Sequence, residues 1–167
     1  MDNIIQSFQT QLMRHVPALK EVDEDWGQCD FYTDRPPVKF PCALIDIQDG
    51  QFSDAGDLRQ QGTLTVVVKL YILRLSNTSN AAPQSQKDNA KRGWVAYDEI
   101  VKALHGQDFI KNGFAAPIRT RMQRAKRRDG IYERDITFTI GFTDKVSVPE
   151  RPKVRPTVKI ETGIEKD

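Results

Sequence analysis

Histidine is almost absent from this chain: its 167 residues include two, His15 and His105. Both fall where a helix is expected to end, a place the helix dipole favours for an imidazole without any chemistry. Acid–base and nucleophilic schemes built on histidine have little to draw on. Cysteine is as scarce. Cys29 and Cys42 fit no close metal-ligand or redox spacing, so two reduced thiols are expected. The phosphate cradle GxxxxGK[ST] and the patterns GxGxxG, HExxH and GxSxG are all missing. Asp46, Asp49, Asp54 and Asp57 gather around one turn without the spacing of a calcium loop, and a solvated turn is expected there. The residues therefore point away from an enzyme, and no metal or cofactor is expected.

Long apolar runs are missing too. The mean hydropathy is −0.56. The longest apolar stretch, 64–75, is broken by Lys69 and Arg74, short of the roughly 18 residues a membrane span needs. The N-terminus lacks a basic region followed by an apolar one, so no signal peptide and no membrane partner are expected. An excess of charge is missing as well. A net charge of +2 with 29% charged residues does not make a polyelectrolyte, so basic character is a local matter.

What is present is a pattern of helices and long strands. Ile4, Ile5, Phe8, Leu12 and Met13 form one apolar stripe and predict a helix over 3–15, stopped by Pro17. A short strand is expected over 18–22. The polar stretch 23–37 reads as a loop, long enough that it should be functional or cover something. Strands are expected over 40–52 and 63–75, the second apolar on both faces and so either central or meeting a neighbour on its second face. A polar connection, 76–87, leads to a helix over 87–104 with Trp94, Tyr97, Ile100, Val101 and Leu104 as its stripe and Gly106 at its C-terminal end. The tail from Val148 carries Pro149, Pro152 and Pro156 among charges. The expected architecture is α+β: a mostly antiparallel sheet of long strands packed by two helices, with a projecting β-hairpin. Residues 1–146 would form a single domain and 147–167 an extended, Pro-rich C-terminal arm.

The hairpin is the candidate functional element. Strands over 118–127 and 131–143 flank Arg128, Asp129 and Gly130. A three-residue loop with Gly130 left-handed places Ile118, Thr120 and Met122 opposite Ile140, Phe138 and Ile136 on one core face. It also sets Arg124 opposite Arg134, a like-charge pair that suits water or an acidic partner. Arg119, Arg121, Arg124, Lys126, Arg127, Arg128, Tyr132 and Arg134 are the candidate interface residues. Three readings stand: a solvated rim, a protein contact in which arginines meet carboxylates, and a nucleic-acid contact, for which Tyr132 is the one interleaved aromatic. Trp26 and Trp94 read as packing or interface anchors.

The run Phe40-Pro41-Cys42-Ala43-Leu44-Ile45-Asp46-Ile47 precedes Gln61-Gly62-Thr63-Leu64-Thr65-Val66-Val67-Val68-Lys69-Leu70. Set after an N-terminal helix and before a second helix, it resembles the tail terminator, or tail completion, proteins of long-tailed bacteriophages and prophages. The resemblance covers about residues 3–143 and rests on organisation and a diffuse pattern. It implies a small α+β subunit of a hexameric ring that caps the tail tube, ends its polymerisation and joins the head. It also implies the tail-tube protein, a head–tail connector or head completion protein and copies of itself as partners, with DNA possible in the lumen. The place would be the virion neck, assembled in host cytoplasm, with no catalytic residues. Other phage neck, connector or baseplate subunits share this organisation, and a nucleic-acid-binding accessory protein is the rival from another class.

Overall fold

The computed structural model describes residues 2–56, 58–73, 78–111 and 113–144. The C-terminal arm expected over 147–167 lies outside them. Seven elements follow in order: α1 (Asp2–His15), β1 (Glu21–Glu24), β2 (Cys42–Asp54), β3 (Gln60–Leu73), α2 (Gln84–Leu104), β4 (Ile118–Ala125) and β5 (Ile131–Asp144). The strands form one sheet in the order β1-β2-β3-β5-β4. Three of its pairings are antiparallel, while β1 runs parallel to β2, so the sheet is mixed. The long strand β3 is central, one of the two places its apolar faces allow.

Both helices pack on one face of the sheet. Alternation along the strands delivers Ala43, Ile45, Leu64, Val66, Val68, Leu70, Ile136, Phe138 and Ile140 to Ile4, Phe8, Leu12, Ile100 and Leu104 of the helices. Gln11 ties the helices together by donating its Nε2 to the Ala103 carbonyl at 2.9 Å. Met13, expected on the apolar stripe, is 52% exposed; the buried positions of α1 are Ile4, Ile5, Phe8 and Leu12.

The loop 25–40 does cover something. It folds over the opposite, outer face, where Cys29, Tyr32, Val38 and Phe40 pack with Cys42, Leu44, Tyr71 and Ile131. Both cysteines are buried and unbridged. A hydrogen bond with Cys29, then burial, pushes the Cys42 thiol far above its usual range, so it stays protonated. The short strand expected over 18–22 instead spans Glu21–Glu24, so the loop starts later than expected.

The far end of β3 is closed tightly. Gly62 pairs with Phe52 on one side and Phe142 on the other. A Cβ there would stand 1.9 Å from the Gln51 carbonyl oxygen. Gly62→Ala must therefore push the strands apart, at a cost of about 1–3 kcal/mol. Urea unfolding of the variant measures it; an unchanged midpoint would show that the strands separate freely at this end.

Candidate functional site

β4 is an edge strand, exposed along most of its length. β4 ends at Ala125 and β5 begins at Ile131, so the connection spans 126–130 instead of the three residues expected; Gly130 in it stands at φ 76°, the left-handed region that glycine adopts without strain. The expected register holds from Arg121↔Thr137 to Ala125↔Glu133. Beyond it, a bulge between Arg119 and Arg121 shifts the pairing to Arg119↔Phe138 and Ile118↔Thr139. One extra residue reverses the faces. Ile118, expected over the core opposite Ile140, turns outward and is 49% exposed. Arg119 turns to the helices instead and donates Nη1 to the Tyr97 hydroxyl at 2.9 Å.

The hairpin does not project: its tip is tied to the body by Arg127. Asp30 and Asp129 each lie 2.7 Å from the guanidinium, and Glu133 lies 2.8 Å from it. The same group donates to the Cys29 carbonyl and stacks over the Tyr71 ring. Burial opposes the Arg127 charge, but hydrogen bonds to Asp129, Glu133 and Asp30 outweigh it and hold the group firmly protonated. The bond from Arg127 holds Asp129 well below the usual carboxylate range. Tyr32 donates its hydroxyl to Asp129 at 2.7 Å. Burial, then Glu133, keeps the Tyr71 phenol protonated, and it donates to Glu133 at 3.3 Å. Arg127 thus spends its charge inside the chain, in contrast to its expected place on a docking surface.

The other candidates divide between a stack and a rim. Arg134, 8% exposed, lies 4.3 Å from the centroid of the Trp94 ring and 5.3 Å from that of Tyr132. It donates to the Tyr132 hydroxyl. Arg124 lies over the other reach of Tyr132, at 5.2 Å. Trp94 meets Tyr97 edge-on at 5.9 Å. The result is a ladder of Trp94, Arg134, Tyr132 and Arg124, with cation–π contact at each step. Trp94 and Val95 stay half exposed on its flank, and Met122 is 42% exposed. Arg121, Lys126 and Arg128 form the exposed rim.

Trp94 is the site residue that periodicity misassigns, while Tyr97 is buried as expected. The buried stripe of α2 runs through Ala96, Tyr97, Ile100, Ala103 and Leu104. Gly93 belongs to it, since a Cβ there would stand 2.7 Å from Ile72 Cδ1. Trp94 comes one residue later, about 100° round the helix, and so flanks the core rather than entering it. The glycine was the available signal. A small residue on the stripe marks the closest approach to the sheet.

A second charged cluster lies on the outer face. Lys69 pairs with Asp25 at 2.5 Å and Asp46 at 3.8 Å, and Asp135 is its cross-strand neighbour. Burial, then the Glu133 charge, pushes the Asp135 carboxyl up to about 6. The folded chain therefore holds a proton there that the unfolded chain releases near 3.8, so stability falls as pH rises from about 4 to about 6. Asp135→Asn is expected to stabilise the fold by about 1 kcal/mol at pH 7, after discounting for solvent screening, and to be neutral at pH 3.5. Thermal melts at both pH values check this; equal gains at both would remove titration as the cause. Among the described residues no group of three or more His, Cys, Asp or Glu side chains could hold a metal, and no helix is long and apolar enough to cross a membrane.

No family model matches the sequence, and no curated protein matches it. Among solved structures 29 chains match. One belongs to the structure described as the virion of native gene transfer agent (GTA) particle. It is similar with a TM-score of 0.54 and 14% identity, over 84% of this chain and 95% of that one. At that identity the likeness is one of fold.

Proposed function

We propose that this protein is a structural virion subunit of a phage-like particle, and that within the particle it acts as a tail terminator. In this reading copies form a ring, near six subunits, that caps the tail tube, ends its polymerisation and offers the surface for the head connector. Its role is assembly, not catalysis, on residues 1–146, with 147–167 as an arm. The observation that carries the reading is the fold likeness to a chain of a gene transfer agent virion over nearly the whole length of that chain. The helix–strand–strand–helix–hairpin order quoted from the sequence is in keeping with it. The α+β fold alone suits other neck, connector or baseplate subunits equally, so the decisive property is capping.

The experiment is tube assembly with purified tail-tube subunits of the parent particle. With this protein present, tubes should stop growing and carry a ring at one end in negative stain. Tubes that lengthen without limit and carry no ring would overturn the terminator role.

A second reading, contact with nucleic acid, is favoured by one observation. Trp94 and Tyr132 interleave with arginines, which supplies the aromatic faces that the sequence offered only at Tyr132. It predicts DNA binding that weakens steeply with salt.

A further inference from the structure

The two edges of the sheet carry opposite charge. Residues 118–128, which form β4 and the turn, contain six basic residues and no acidic one. Of the 25 basic residues in the chain this leaves 19 against 23 acidic ones, so everything outside that stretch has a net charge of −4. The strand β1, residues 21–24, is the mirror case, with three acidic residues, Glu21, Asp23 and Glu24, and no basic one. It lies at the opposite edge of the sheet, whereas the acidic residues after it cross the outer face, where Asp30 meets Arg127 at the hairpin turn. That pair removes Arg127 from the basic edge. Arg121, Arg124, Lys126 and Arg128 remain exposed on the basic side. On the acidic side Glu24 is exposed and Glu21 and Asp23 are half-buried, with Lys20 and Lys39 at the margins.

We propose that the basic β4 edge of one copy docks against the acidic β1 edge of a second copy, so that subunits join head to tail. This rests on the ring reading above and deepens it by naming the two faces. An edge strand studded with arginine and broken by a bulge repels most strands that approach it. An acidic edge removes that repulsion, so the same device that blocks wrong pairing selects this partner. Each copy carries one edge of each sign at opposite ends of its sheet. Contacts between unlike patches generate rings when the rotation closes. Half-exposed Trp94 and Val95 beside β4 supply the apolar anchor that a charged rim needs.

The test uses two charge-reversed variants, Arg121→Glu/Arg124→Glu and Glu21→Lys/Glu24→Lys. Mass is read by light scattering over a concentration series, alone and with tail-tube ends present. Wild type should assemble, and each variant alone should stay at the 19.1 kDa of a single chain. Mixed in equal amounts they should assemble again, because every contact in an alternating ring is then complementary. Recovery on mixing also shows that both variants are folded. Several results would overturn the proposal: variants that assemble alone as well as wild type does, two folded variants that stay monomeric when mixed, or an arginine variant that loses duplex DNA binding and keeps assembly. The first and last leave the ring reading standing. Wild type that stays a single chain even with tube ends present would sink both.

Discussion

Arg127→Ala is expected to lose about 3 kcal/mol of folding stability at pH 7, a large loss for one residue at the tip of a hairpin. The reason is what the side chain leaves behind. Its side chain is 12% exposed and that of Glu133 beneath it 8%, so removing the cation strands a carboxylate in a site with little water. Breaking a buried pair costs about 3–5 kcal/mol, mainly through the uncompensated charge. The lower end applies here because Asp30 is 42% exposed and water screens it. Arg127→Lys should recover part of the loss, since a point charge meets one carboxylate where the planar fork meets several. The pH dependence has a definite sign. Asp129 is held below its usual range by Arg127, so its contribution is present above about pH 4 and fades as pH falls below it. Wild type and variant should therefore converge in acid. Urea unfolding at pH 7 and pH 3 measures both effects. A loss below about 1 kcal/mol at pH 7 would reduce the tie to an ordinary surface cluster. The same experiment separates stability from docking. If Arg127→Ala abolishes assembly while unfolded at the working temperature, the loss says nothing about an interface.

Phe8→Ala is expected to cost about 3–5 kcal/mol, the range for emptying a large aromatic site in a core. Phe8 is fully buried in α1. It meets Phe109 edge-on at 5.1 Å and Phe138 of β5 at 6.5 Å. Such contacts add about 0.5–1.5 kcal/mol beyond area, and they join the helix, the segment after α2 and the sheet through one side chain. Phe8→Leu keeps most of the volume and should lose less than about 1.5 kcal/mol. Denaturant unfolding followed by tryptophan fluorescence and by far-UV circular dichroism tests this. Trp94 sits on α2, so coincident transitions would place α1 and α2 in one cooperative unit. A Phe8→Ala loss of less than about 1 kcal/mol would mean that α1 is docked without supporting the core.

Fold and surface rest on different residues. Arg127 and Phe8 hold the scaffold on which β4 is displayed. Arg121 and Arg124 are exposed, and Arg124 gives up its contact with the Tyr132 ring, so reversing them should cost about 1 kcal/mol or less of stability while changing assembly. A protein whose surface variants fold normally and fail to assemble has its interface there.

The residues by themselves determined the periodic elements. The apolar spacing of Phe8 and Leu12 in α1, the double-faced pattern of β3 and the glycine turn at Gly130 are local signals, and each appears where local physics puts it. They also fixed the hairpin register near its turn, because the loop length sets the pairing of the adjacent residues. The site was legible as a basic hairpin and no further. Whether an arginine faces water or carboxylates depends on residues far away in the chain. Arg127 meets Asp30 and the Cys29 carbonyl, 97 and 98 positions earlier, and no window of sequence contains both. Thr120 gave no sign of the bulge that turns Ile118 outward. Trp94 looked like core because spacing shows a stripe without saying where the sheet touches it. The opposition of acidic and basic edges likewise needed the strand order. Residues 21–24 and 118–125 are ordinary charged stretches until the topology sets them at the two edges of one sheet. Local periodicity and turn chemistry act over a few residues; burial, ion pairing and edge position are decided by which distant strands become neighbours.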